Sequence, residues 1–333
     1  MAEKHFKLRR DLSIKISNDG QDVQLYRIEA TEDIPGLGVE AGEIGGFIEK
    51  EENLCGSAWV SGDAKVFGNA LVSGNAWVGE YARVSGNARV SGNAWVREYA
   101  KVYEYAEVSG NAKVSEDSGV YGNASVVGDS RVSGNALVFG DALVHEDTEI
   151  YENAKVSGNA WVYGNAQVYG SAEVYGNARV SGNTKVYEYA EVYGNARVSG
   201  NAIVSGYAEV LEYAKVSGDA IVSGDAQVYG SADVYGDARL LGYAKVYGNA
   251  VVAADVLKKT NDYRNIINER YNITITPNYL KIGCQLHSHT DWWGFTDRDI
   301  LEMYGRDGLK WWKKWKPILM AICAEESEVK NEQ

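Results

Sequence analysis

One hydrophobic beat runs through most of the chain. From Val60 to Val252 every sixth residue is Val, with only Ile150 and Leu240 departing, over 33 positions without a slip. Two residues before each stands Ala, replaced only by Ser118, Ser130, Thr148 and Thr184. The Ala, the variable residue after it and the Val alternate inward, outward, inward, which is the period of a half-buried strand. The next three residues are rich in Gly, Asn and Asp, the chemistry of turns. A short strand and a corner every six residues predicts a β-solenoid, with three units making an 18-residue coil. Each Val is then buried against those above and below it, for roughly 1.5–3 kcal/mol apiece. The small Ala at the second inward site suits a narrow three-sided prism.

The unit V-[SY]-G-[NDY]-A-x resembles the hexapeptide repeat of the left-handed parallel β-helix, the fold of LpxA-like acyltransferases, over about residues 54–256. The preceding segment LYRIEATEDIPGLGVEAGEIGGFIEKEENL (residues 25–54) is similar to the start of the YdcK-like branch, hexapeptide-repeat proteins also seen in prophage-type sequences. The resemblance implies an all-β solenoid, a single-stranded left-handed parallel β-helix of about eleven triangular coils. The left hand comes from the resemblance alone, since the general rule for parallel crossovers is right-handed. Little chemistry comes with it: that branch is called a transferase on its fold only, and fold does not imply function.

A solenoid leaves open ends that need caps. Residues 1–53 read as a β-rich N-terminal cap, with short strands near Phe6–Leu8 and Gln24–Ala30. Residues 257–333 change composition and read as a small α+β capping or recognition domain, holding five of the nine Trp. A polar helix is expected over Asp262–Tyr271, then a strand pair (Ile273–Thr276 and Tyr279–Cys284), then a helix from about Thr296. Thr296 with Asp299 has the form of an N-cap, and Gly305, Gly308 and Pro317 are expected to bend or break that helix.

The 18-residue period sorts outward residues into columns. After the Val of one face come Phe67, Ser85, Tyr103, Tyr121, Phe139, Ser157, Tyr175, Tyr193, Leu211, Tyr229 and Tyr247. Such a column is read as a self-packing ladder, as a contact face for another protomer, or as a platform for a sugar or base ring. A second column holds Trp59, Trp77 and Trp95, over which the N-terminal cap is expected to fold. One corner is Asn or Asp throughout, from Asn75 to Asp237, and is assigned to the tolerance of those residues for left-handed backbone. Another gathers Glu80, Glu98, Glu116, Glu152 and Glu188, read as a solvated edge at a site not demanding a glycine backbone. Residues 81–112 match 189–220 in register, six whole coils apart.

Candidate chemistry is sparse. His145, in the run His145-Glu146-Asp147, is the one histidine of the rod and would be the general base if an acyltransferase activity survived. Cys284, His287 and His289 form a metal-compatible trio without the second pair a structural zinc site needs. Lys310, Trp311, Lys313 and Lys314 lie in a run that mixes rings and cations, suited to capping the rod end or to gripping a small anion. Net charge is −13, but residues 257–333 carry 12 basic against 11 acidic side chains. The acidic balance argues against general nucleic-acid binding. No apolar run approaches the roughly 20 residues of a membrane span, and without a signal-type N-terminus the protein is expected in the cytoplasm. The reading is a rigid, non-enzymatic scaffold without cofactor, engaging a protein, itself or a small anion. A phage-type protein that sequesters a host factor or a nucleotide-like signal is a further alternative.

Overall fold

The structure is a computed structural model that describes residues 4–18, 20–259, 262–266 and 270–331, with side chains of the last helix described as far as residue 324. The shaft is a β-solenoid with three parallel sheets as its walls. The sheets contain strands of two residues, each in register with the strand 18 residues on, as in Val60↔Val78 and Val102↔Val120. Every six-residue unit therefore changes wall, and every third returns to the same one. We name the walls by their first outward residues: the Lys65 wall, the Trp59 wall and the Leu71 wall.

The inward alternation holds along the whole shaft: the repeat Ala and Val side chains are 0–1% exposed. The four exceptions to Ala are polar but satisfied. Ser118, Ser130, Thr148 and Thr184 each donate their hydroxyl to the carbonyl three residues before, at 2.5–2.7 Å. A buried hydroxyl is tolerated only with such a partner.

At the N-terminal end, β1 (Phe6–Asn18) and β2 (Gln21–Ala30) form an antiparallel hairpin, and β3 (Ile44–Ile48) joins it to the Lys65 wall. These strands are much longer than the short stretches the sequence pattern marks, because the polar residues between Arg9 and Ser13 sit in a register shift that does not end β1. Gly45 allows the contact with the shaft: a Cβ there would lie 2.5 Å from the Val60 carbonyl oxygen and 2.7 Å from the Trp59 ring.

At the other end Leu257 and Tyr263 complete the shaft core. Beyond them four antiparallel strands (Arg264–Ile266, Ile273–Ile275, Tyr279–Ile282 and Gln285–Ser288) pack under α1 (His289–Gly294) and α2 (Asp297–Asn331). The helix expected over Asp262–Tyr271 is not formed. Arg264–Ile266 is an edge strand paired with Ile273–Ile275, and residues 260–261 and 267–269 lie outside the described residues. The capping of α2 is as read: the Thr296 hydroxyl oxygen accepts the Asp299 backbone N–H at 3.3 Å, and the Asp299 carboxylate accepts the Thr296 backbone N–H at 2.8 Å. Of the three expected breakers only Gly305 interrupts the helix, at φ 71° and ψ −176°. Pro317 is carried inside it.

The C-terminal domain keeps its own core of Ile273, Ile275, Leu280, Ile282, Trp292, Ile300, Trp312 and Leu319. It meets the shaft through polar contacts. Asp255, 1% exposed, accepts hydrogen bonds from the Thr276 hydroxyl and from the Asn278 amide (2.6 Å), while the Thr274 hydroxyl accepts from the Val251 amide at 3.2 Å.

Candidate binding surfaces

The aromatic column follows the Lys65 wall. Tyr103, Tyr121 and Phe139 stack at 4.8 and 4.9 Å, with planes within 7° of parallel. Tyr175 stacks on Tyr193 at 4.8 Å and Tyr229 on Tyr247 at 5.2 Å. Coil spacing imposes this distance, and at that distance rings stabilise one another. The phenol groups of Tyr175 and Tyr193 donate to Glu191 and Glu209, each at 2.9 Å. Burial, then the hydrogen bond to Glu209, raises the Tyr193 phenol to about 12. All these rings except Tyr247 are half-buried or deeper, so much of their surface is spent on each other.

The most exposed rings lie at the corners instead. Tyr81, Tyr99, Tyr189, Tyr207 and Tyr243 share one corner and are 54–71% exposed. Tyr81 stacks on Tyr99 at 5.1 Å, and Tyr189 on Tyr207 at 4.9 Å. Tyr105 and Tyr213, 66% and 64% exposed, stand at a second corner, again six coils apart.

Each of these tyrosines follows the residue that turns the corner. That residue is Gly at most places and Glu at eight, and all eight Glu have φ between 60° and 65°. The site therefore does demand left-handed backbone, contrary to the expectation. For a residue with a Cβ that conformation costs about 1–2 kcal/mol. The compensation is local: Glu98, Glu104, Glu152, Glu188 and Glu212 each accept, through Oε2, the backbone N–H of the corner residue one coil on, at 2.6–2.8 Å. Glutamate reaches one coil and satisfies the corner amide there, so Glu98, Glu152 and Glu188 of the acidic corner act as caps, as do Glu104 and Glu212 at another corner.

The Asn column also has a different cause from the expected one. The left-handed residue is the preceding Gly or Glu, and Asn sits in ordinary backbone. Its amide bonds the next side chain up, as in Asn75→Asn93, Asn93→Asn111 and Asn111→Asp129 at 2.8–3.1 Å. An amide donates and accepts at once and so can continue a ladder indefinitely.

On the Trp59 wall the cap covers only the first of three rings. Trp59 is buried beside His5 and Gly45. Trp77 and Trp95 stay half-buried beyond the reach of β3, edge to face at 5.1 Å, with the Trp77 indole N–H donating to Ser61 at 2.6 Å.

His145 lies flat on Tyr163 at 5.1 Å as one more rung, its Nδ1 3.6 Å from Glu146. His287 packs edge-on against Trp292 and Phe295, and the His289 ring nitrogen meets the Tyr279 carbonyl at 3.1 Å. Cys284 is exposed in the turn between the last two strands. Among the described residues no three His, Cys, Asp or Glu side chains converge on a metal-sized site.

The Trp-Lys run of α2 does not seat on the rod end. Trp312 is buried against Trp292 in the domain's own core, and Trp311 stacks on Trp315 at 5.7 Å. Lys310 and Lys313 are exposed but face Asp307 (3.8 Å) and Asp297 (2.5 Å), and Lys314 is exposed as well.

A feature missed at the sequence level is a cleft of about 510 Å³ at the hairpin tip, lined in part by Asn18, Arg83, Ser85, Lys101 and Tyr103. Its signal was Ser85 interrupting the aromatic column.

Three in-register parallel walls and a six-residue turn repeat define a β-solenoid. The model for the YdcK β-solenoid repeat matches at residues 64–80, 82–98, 130–146, 154–170, 172–188, 190–206 and 214–231. The chain is a YdcK-like repeat protein. No curated protein matches it. Among the described residues no helix is long and apolar enough to cross a membrane.

Proposed function

We propose that the protein is a non-enzymatic rigid scaffold whose stiff walls hold rows of tyrosine against a protein partner. The observation that carries this reading is the exposure of pre-stacked rings at one corner in two places six coils apart, Tyr81 with Tyr99 and Tyr189 with Tyr207. Tyr buries a large amphipathic area at low entropic cost, and rings already stacked lose less freedom on binding. The deeper column of Tyr103, Tyr121, Phe139, Tyr175, Tyr193, Tyr229 and Tyr247 then stiffens the rod and offers ring edges at the rim of the contact. The exposed Lys314, beside Lys310 and Lys313 that pair with Asp307 and Asp297, gives the C-terminal domain a separate contact for an acidic segment of the partner.

A photo-crosslinking residue placed at Tyr99 or at Tyr207, in the full chain in its native cell, tests the reading. The same protein adduct is expected from both positions and not from Asn111 on the amide column. No adduct, or equal adducts from all three, would sink the proposal. The catalytic alternative is separable: acetyl-CoA turnover that disappears in His145→Ala would replace the scaffold reading with an acyltransferase.

A further inference from the structure

The aromatic column lacks a ring at Ser85, one coil after Phe67 and one coil before Tyr103. Ser85 is only 9% exposed, whereas Ser157, which interrupts the same column farther along, is half-buried. The N-terminal hairpin stands beside Ser85. Its tip residue Asn18 accepts a hydrogen bond from the Arg83 guanidinium at 2.6 Å and stands as a side wall. The volume of this open cleft, about 510 Å³, falls within the range of small-molecule sites, about 300–1,000 Å³.

Three features give the cleft a chemical preference. Tyr103 is covered on one face by Tyr121 at 4.8 Å, and its other face looks along the column toward Ser85. Where the column is continuous, as at Tyr121 on Phe139 and Tyr175 on Tyr193, a protein ring fills the next rung at the same spacing. Two cations line the space: Arg83, whose guanidinium stands 4.6 Å from the Phe67 ring centroid, and Lys101, which is exposed. Glu104 also lines it, but its Oε2 is turned to the Gly122 amide of the next coil at 2.8 Å.

We propose that this cleft binds a small anion carrying one flat ring. The ring takes the rung missing at Ser85 and stacks on Tyr103, while the anionic group faces Arg83 and Lys101. Neither part suffices alone: a ring without charge leaves Lys101 unused, and a bare anion leaves Tyr103 uncovered. The site shares Tyr103 with the deeper column but uses none of Tyr81, Tyr99, Tyr189 and Tyr207, which carry the scaffold reading, so either proposal stands if the other fails.

The test is calorimetric titration of the full chain with adenosine 5′-monophosphate and with 4-hydroxybenzoate, and with adenosine and inorganic phosphate as separate arms. Saturable one-to-one binding of at least one ring-bearing anion is expected, with adenosine and phosphate both weaker. Ser85→Tyr rebuilds the rung with the residue found at Tyr103. It should weaken that binding at least about tenfold and leave the melting temperature unchanged or higher. Lys101→Ala should weaken the anion about tenfold and leave adenosine unaffected; it also serves if Ser85→Tyr fails to fold. The proposal is overturned if neither ring-bearing anion binds at millimolar concentration. Phosphate binding as tightly as the nucleotide would overturn it too, as would binding that survives Ser85→Tyr or Lys101→Ala.

Discussion

The shaft and the C-terminal domain solve the same problem, burial of apolar side chains, with opposite logic. In the shaft every residue's neighbours are the residues 18 before and 18 after, so Val102 meets Val84 and Val120 whatever happens elsewhere. Stability there is close to a sum of coil-on-coil contacts. In the C-terminal domain one side chain ties several elements together. Trp292 is 0% exposed, contacts the rings of Phe295, Tyr304 and Trp312, and donates its N–H to the Leu280 carbonyl at 2.5 Å. The difference teaches where damage spreads: along the shaft it should fade with distance, and in the domain it should not.

The largest expected effect tests the domain. Trp292→Ala should cost about 3–5 kcal/mol and remove hydrogen-exchange protection from residues 273–319 together, while shaft strands keep theirs. If the shaft melts as well, the two regions are not independent. Val156→Ala in mid-shaft should cost about 2 kcal/mol. Its protection loss should centre on the neighbouring strands Leu137–Val138 and Glu173–Val174 and fade beyond them; uniform loss along the rod would break the nearest-neighbour picture.

A smaller effect separates backbone from side chain at the corners. Glu188→Ala keeps left-handed backbone but loses the carboxylate that accepts from Gly206. It should be less stable than Glu188→Gly by about 1 kcal/mol in denaturant melts. Equal stability would mean that the left-handed corner imposes no strain. The smallest effect is alkaline. Burial raises the folded Tyr193 phenol to about 12 from the ordinary 10. Its contribution is therefore complete below pH 10 and is lost as pH rises from 10 to 12. Tyr193→Phe should lessen the slope of that part of the stability profile, to which Tyr151, also raised to about 12, contributes as well; an unchanged slope would remove the Tyr193 phenol as a cause.

The same contrast explains what could be read from the sequence. Inward Val, the columns and the stacking of Tyr103 on Tyr121 follow from arithmetic, because in a solenoid sequence distance fixes spatial distance. The C-terminal strands of Ile273–Ile275 and Tyr279–Ile282 were legible from their apolar alternation. The stretch after Asp262 was not, because Arg264–Ile266 becomes a strand only by pairing with Ile273–Ile275, a tertiary choice that local propensity does not encode. The corners failed for another reason. Glu in place of Gly looked like freedom of backbone, and only the amide one coil away shows that the carboxylate accompanies a constrained one. The cleft at Ser85 needs the hairpin tip, which belongs to a segment outside the repeat.

The 18-residue coil has one further consequence, which concerns heredity. Inserting a single six-residue unit would leave the Val core intact, since all three walls take the same inward residues. It would, however, rotate everything downstream by one wall, breaking the side-chain columns such as the ring stack of Tyr103 on Tyr121. The interior therefore cannot detect a gain or loss of six residues; only the outside can. The columns are aligned from Asn75 to Asp237, an alignment that only a change of length by whole coils would preserve. The surface, not the core, keeps the count.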